Sequence, residues 1–390
     1  MTLSNANTEG DRTWWGRPSG GREVLRVAAP LVVSSLSWTV MTFVDRMMLN
    51  WVSGTAMDAA FTASIAWFAI LALPLGICAY ANTFVAQYDG AGRQNRIGLV
   101  LWQAIWIAIG LGMAFLVGIP LAPAIFGLAK HAPEGYSYEV QYFQILSLCG
   151  PAMLIAQSGA AFYSGRGQTW GLMIVDSGAA ILNLALDYAW IFGYYGFPEW
   201  GVAGAAWATV VATWVKALVY VLLPLQQRHR ERYGTVSGIR WNTELVRRIV
   251  YFGWPSGFQM LLDVMGFTVF IFMLGNLGVV AKQATSLAFS ISSLAFMPIY
   301  GLHIAVSVLV GERLGENRDD LAARATVTTL QISWMYMLLI SLLYAFVPDL
   351  FLLGFFRDGT STSAEQAAVR ELTATLLLFV AAYNLLDATQ

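Results

Sequence analysis

The sequence predicts an all-α polytopic membrane protein, a two-lobed bundle of repeated six-helix units with ten of twelve helices present. Composition is the first reason: 57 % of the 390 residues are hydrophobic and 12 % charged, and the mean hydropathy is +0.60, so there is too little polar side chain to cover a soluble surface. The second is a series of charge-free runs long enough to cross a bilayer. The third is a pattern that recurs at a fixed offset of 225 residues.

Residues 1–20 are polar and Gly-rich and lack an apolar run with a cleavage site, so they read as a disordered cytoplasmic tail and not as a signal peptide. A helix needs about 20 mostly apolar residues to span a membrane. Uncharged runs meet that need at 27–44, 59–88, 97–129, 140–165, 283–311 and 325–348. Four further apolar runs are interrupted: 169–194 by Asp176 and Asp187, 201–226 by Lys216, 249–275 by Asp263, and 372–390 by Asp387. In chain order these are spans 1 to 10. A charge inside a span is costly unless it has work to do, so the interruptions are the places to look for function.

The repeat organises the spans. Pro30 opens span 1 in EVLRVAAP, and Pro255 opens span 7 in RIVYFGWP, 225 residues later. The same offset carries Val85, Gln87, Gly90 and Arg93 of VAQYDGAGR onto Val310, Glu312, Gly315 and Arg318 of VGERLGENR. Six spans per unit start both copies on the same side, giving a parallel repeat about the membrane normal. The predicted organisation is an amino-terminal lobe over 21–226, a basic cytoplasmic linker over 227–248 and a carboxy-terminal lobe over 249–390. The first copy continues through spans 5 and 6, whereas the second stops inside span 10 at Gln390. The repeat therefore predicts that the chain is a fragment lacking the end of span 10 and two further helices.

Charge excludes some functions and sets the orientation. Twenty-two basic residues against 23 acidic ones give a net charge of −1, with no basic excess for nucleic acid. Sixteen of the basic residues, from Arg12 to Arg324, fall on one side of the spans, while Lys130, Lys282, Arg357 and Arg370 fall on the other. Cytoplasmic loops retain positive charge, so the amino terminus is cytoplasmic. Cys78 and Cys149 sit in apolar runs without partners at metal spacing and read as small buried hydrophobes. The chain has no HExxH, GxGD or GxSG pattern, which argues against an intramembrane enzyme.

Span 5 carries Asp176, Asn183 and Asp187, seven and four residues apart, which places all three within about 40° of one helical face. Asn183 and Asp187 are one turn apart and present oxygens to the same cation; Asp45 and Thr209 add a carboxylate and a hydroxyl from neighbouring spans. Hard cations take such oxygen clusters. Arg46 follows Asp45 directly, and the roughly 100° between adjacent helical residues sends it to snorkel toward the interface. Lys216 either snorkels or pairs with an acid, and is assigned no transport role. Pro30 and Pro255 either kink their helices or mark the first turns.

Several of these segments resemble one family. PLVVSSLSWTVMTFVD with Pro30 and Asp45, the VAQYDGAG and VGERLGE loops, and ALDYAWIFGYYGFPEWGVAGAAWAT across spans 5 and 6 are similar to the multidrug and toxic compound extrusion (MATE) family. The carboxylates of spans 7 and 10 resemble its NorM-like bacterial branch. The resemblance implies a cation-coupled antiporter, driven by Na⁺ or H⁺, that exports organic cations and other amphipathic drugs by alternating access. It implies no cofactor beyond the coupling ion, a lipid bilayer and small-molecule substrates as partners, no nucleic acid, a monomer, and an inner cell membrane location. It also implies two cation sites: Asp45, Asn183, Asp187 and Thr209 in the first lobe, and Asp263, Tyr383 and Asp387 in the second, Na⁺ being a candidate metal at both. The family's branch usually has Glu where Asp263 stands, one methylene longer. The rival reading is a lipid-linked saccharide flippase of the related fold, which would line its cavity with cations, whereas the charges inside these spans are mainly acids. A channel would ring one axis with its acids instead of burying them within separate lobes.

Overall fold

The computed structural model describes residues 13–127, 133–274, 279–352, 364–387 and 389. All regular structure among them is helical. The α-helices are α1 (Gly21–Val52), α2 (Gly54–Ala79), α3 (Ala81–Gly90), α4 (Gln94–Leu116), α5 (Ala122–Gly127), α6 (Pro133–Ser147), α7 (Cys149–Ser164), α8 (Thr169–Ile191), α9 (Val202–Leu222), α10 (Gln227–Tyr233), α11 (Thr243–Leu274), α12 (Val279–Gly315), α13 (Asp319–Phe346), α14 (Pro348–Leu352) and α15 (Ala364–Asp387). Each predicted span is helical over most of its described residues. Among the described residues, seven helices are long and apolar enough to cross a membrane, eight with the bent pair α6–α7. The two that fall short, α11 and α15, carry Asp263 and Asp387.

Three local expectations change. Residues 1–12 of the predicted tail lie outside the described residues, but residues 13–20 fold into turns instead of remaining disordered: Trp14 Nε1 donates to Gln331 Oε1 at 2.6 Å, and the Ser19 N–H donates to Glu23 Oε2 at 2.7 Å. The apolar tryptophan gives this stretch something to pack. Pro30 and Pro255 lie well inside α1 and α11, which rules out first-turn positions and leaves each helix short of one internal hydrogen bond. Span 4, read as unbroken, bends by 41° between α6 and α7. Pro151 there has no N–H for the carbonyl one turn back. The neighbouring Leu148 carbonyl accepts Trp214 Nε1–H at 3.1 Å.

The chain divides into two compact units, one of residues 37–266 and 311–317, the other of residues 1–36, 267–310 and 318–390. In the first, the segment after α9 is fastened to α4. Gln103 pairs with both the Arg240 carbonyl and the Asn242 N–H at 2.9 Å, and Trp106 Nε1 donates to the Ile239 carbonyl at 3.2 Å. Arg166 stacks its guanidinium on Phe162 and Tyr233, 3.8 and 4.3 Å from the ring centres, and His229 joins the same aromatic group. The second unit has an apolar core that includes Ile291, Ala295, Tyr344, Leu377 and Ala381. Hydroxyls tie its helices together: Tyr336 to the Ala295 carbonyl at 3.0 Å and Ser341 to the Ala381 carbonyl at 2.8 Å. Such bonds suit helices in lipid, where the hydrophobic effect does not drive helix onto helix.

The 225-residue offset reappears as element boundaries. Gly54 to Gly90 spans α2 and α3, and Val279 to Gly315 is α12; α4 begins at Gln94 and α13 at Asp319. Close crossings follow the same register. Within the first unit a Cβ on Gly90 would overlap the Glu312 backbone and one on Gly315 would overlap the Gln87 backbone, two contacts that the offset of 225 carries onto one another. Gly76 meets Gly257 in the first unit, and Gly301 meets Val32 in the second, which are the offset equivalents of one another. The repeat thus maps one close contact onto another, as a duplication requires.

Candidate functional site

The amino-terminal cluster is assembled in the first unit. Asp45 comes from α1, Asn183 and Asp187 from α8, and Thr209 from α9. Asn183 and Asp187 are fully buried, and Asp45 and Thr209 are 6 % exposed. The stripe forms because positions 183 and 187 are one turn apart on the buried face of α8, whose opposite face leaves Ile174 and Ile181 two-thirds exposed as apolar surface. The carboxyl groups of Asp45 and Asp187 interact side by side. Asn183 Nδ2 donates to Thr209 Oγ1 at 3.4 Å, and Thr209 Oγ1 in turn donates to the Ala205 carbonyl at 3.2 Å. This chain of bonds fixes the Asn183 amide with its nitrogen on Thr209 and its oxygen free to face a cation.

Among the described residues, Asp45 Oδ1, both carboxylate oxygens of Asp187 and Asn183 Oδ1 receive no hydrogen bond. Four buried acceptors without donors, three of them on two neighbouring acids, are unfavourable by several kcal/mol unless a cation or proton joins them. The arrangement suits a hard monovalent cation or a shared proton. No group of three or more His, Cys, Asp and Glu side chains at metal spacing occurs among the described residues.

One neighbour escaped the sequence reading. Tyr142 of α6, 5 % exposed, stands within electrostatic reach of Asp45, Asp187 and Arg46, and its hydroxyl interacts with Ser64 of α2. A lone tyrosine in an apolar span gives no periodic signal, and only the bent α6–α7 pair brings it in. Arg46 places its guanidinium 4.6 Å from the Phe61 ring centre and stays exposed, forming no ion pair with Asp45 among the described residues. It remains within electrostatic reach of Asp45 and Tyr142.

The lower part of the α8 stripe has a different character. Asp176 Oδ1 binds Lys216 Nζ at 2.8 Å and accepts the Tyr220 hydroxyl at 2.9 Å. Of the two readings of Lys216, pairing with an acid is the one observed. Ser177 and Ser37 join α8 to α1 at 3.0 Å. The second predicted cluster is divided between the units: Asp263 is an exposed residue of α11 in the first, and Tyr383, 56 % exposed, and Asp387 lie one turn apart on α15 in the second.

With these positions in place, the comparisons with known proteins become specific. The MatE family model matches residues 30–189 and again 255–389, well over half of the chain. The chain belongs to the MatE family. The two matched stretches start 225 residues apart, which independently supports the internal duplication. Among MatE relatives, a probable multidrug resistance protein NorM of Xanthomonas campestris is 30 % identical over 93 % of this chain and 78 % of its own length. The multidrug resistance protein NorM of Vibrio cholerae is 28 % identical over 94 % of this chain and 79 % of its own. The solved structure of an outward-facing multidrug resistance MATE family transporter superposes with a TM-score of 0.81 at 20 % identity, covering 98 % of this chain and 83 % of that one, and so shows a shared fold. The protein is a multi-pass membrane transporter of the bacterial NorM-like branch and not an enzyme.

Proposed function

We propose that this MatE protein exports amphipathic and cationic small molecules in exchange for Na⁺ or H⁺, by alternating access between lobes formed by residues 21–226 and 249–390 with residues 227–248 as the linker. The observation that carries the reading is the donor-free acceptor cluster of Asp45, Asn183 and Asp187. A site of that kind binds a cation more tightly in one conformation than in another, and such differential affinity is what moves a two-state transporter. Thr209 holds the amide. No cofactor is needed beyond the coupling ion.

The multidrug names of its relatives support the substrate class. The uneven distribution of Lys and Arg supports a cytoplasmic amino terminus in an inner membrane. A flippase for anionic lipid-linked sugars would want free cations in its cavity, but Arg46 is stacked on Phe61 and Lys216 is held by Asp176. The test is exchange itself. Adding tetraphenylphosphonium to the purified protein in weakly buffered detergent is expected to release H⁺, or Na⁺ when the protein has been equilibrated with it. Saturable binding of the organic cation without release of either ion would refute coupling.

A further inference from the structure

A polar seam runs between α8 and α9 within the first unit. On α9 it comprises Thr209, Thr213, Lys216 and Tyr220, spaced by four, three and four residues and therefore on one face; on α8 it comprises Asp187, Asn183 and Asp176. The two stripes meet at both ends, through Asn183–Thr209 at 3.4 Å above and through Asp176 with Lys216 and Tyr220 below. Between them Thr213 is 8 % exposed and interacts with the Cys149 thiol of α7. Asp187 and Asp176 are eleven residues apart, about 16 Å along the helix.

The lower end is closed by a cation that belongs to the protein. Lys216 projects from the middle of an otherwise apolar helix, and its ammonium lies against the carboxylate that would otherwise be the next acid on the path from Asp187. A fixed positive charge in a narrow polar passage is an electrostatic barrier to other cations. Tyr220, fully buried and one turn on from Lys216, donates its hydroxyl to the same carboxylate oxygen.

We propose that Lys216 is a tethered counter-ion that seals the cytoplasmic end of this seam, so that the coupling ion bound at Asp45 and Asp187 cannot pass to the cytoplasm without the conformational exchange. Lys216 is thus a positioning residue for coupling, acting through Asp176, and the proposal rests on the reading of Asp45 and Asp187 as the coupling site. Its selectivity is by charge: the barrier applies to H⁺ and Na⁺, and losing it uncouples ion flow from substrate flow.

The experiment uses proteoliposomes with an internal pH-sensitive or Na⁺-sensitive dye, an imposed gradient of the matching ion and no organic substrate. Lys216→Gln, and the neutral pair Asp176→Asn/Lys216→Gln that leaves no unpaired buried charge if the single variant fails to fold, are expected to pass ion at least about tenfold faster than the unchanged protein. Lys216→Arg, which keeps the charge, should remain tight. Adding Asp187→Asn to the neutral pair should abolish the leak, since the seam then no longer starts from a titratable acid. A neutral-pair variant that folds and is as tight as the unchanged protein overturns the proposal, as does a leak that survives Asp187→Asn. Failure of the coupling reading itself shows separately, as undiminished cation-driven efflux by the single variant Asp187→Asn.

Discussion

Asn183 keeps its amide nitrogen on Thr209, and Thr209 is able to receive it because its own proton is spent on the Ala205 carbonyl. Thr209→Val removes the oxygen that receives the amide and frees Asn183 to rotate. The cation concentration for half-maximal efflux should rise about tenfold or more, the usual cost of losing a residue that orients a ligand, while Thr209→Ser should stay near the unchanged protein. Asp45→Asn and Asp187→Asn keep size and shape but remove the charge that attracts the ion, so each should abolish most cation-driven efflux while the purified variants remain monodisperse. Much of this site was legible in the sequence. Asn183 and Asp187 announce themselves by sharing a helical face inside an apolar span, and Asp45 by being an acid where none is cheap. The part that was not legible depends on contacts between distant residues: Tyr142 carries no pattern of its own, and that Lys216 meets Asp176 is decided by how α8 packs on α9.

At the scale of elements, the duplicated loops cross where only glycine fits. Gly90→Ala and Gly315→Ala each place a methyl group into the opposite backbone, and each should lower stability by about 1–3 kcal/mol, read as a fall in thermal-unfolding temperature in detergent. Their effects should be similar in size because the two contacts are equivalents under the repeat. The aromatic group around Arg166 makes a pH prediction. Burial, with Arg166 and Arg228 beside it, holds the His229 imidazole below its ordinary value. The folded protein then binds fewer protons than the unfolded chain, so this contribution to stability is complete above about pH 6.5 and is lost as the pH falls toward the folded value. His229→Phe, which retains the ring contacts with Phe162 and Tyr233, should flatten the dependence of the unfolding temperature between about pH 7.5 and about pH 5. A variant as pH-sensitive as the unchanged protein would remove His229 from the account. The sequence disclosed the offset of 225 and the spans, because both are periodic or repeated. It did not disclose the bend before Pro151 or the fastening of the basic segment to α4, since a proline inside a long apolar run and a glutamine facing a distant backbone say nothing alone.

For the molecule as a whole, the account rests on cation binding and substrate export being two halves of one exchange. The buried acids supply a reason for the cation, and membership in the MatE family supplies the transporter in which it acts. The most direct measurement follows a fluorescent organic cation leaving the cytoplasmic compartment, reproduced in everted membrane vesicles containing the protein, while Na⁺ and H⁺ gradients are imposed and collapsed one at a time. The account predicts that either gradient suffices to drive transport, that it stops when the gradient is dissipated, and that ATP without a gradient has no effect. Transport that ignores both gradients and requires ATP would contradict it.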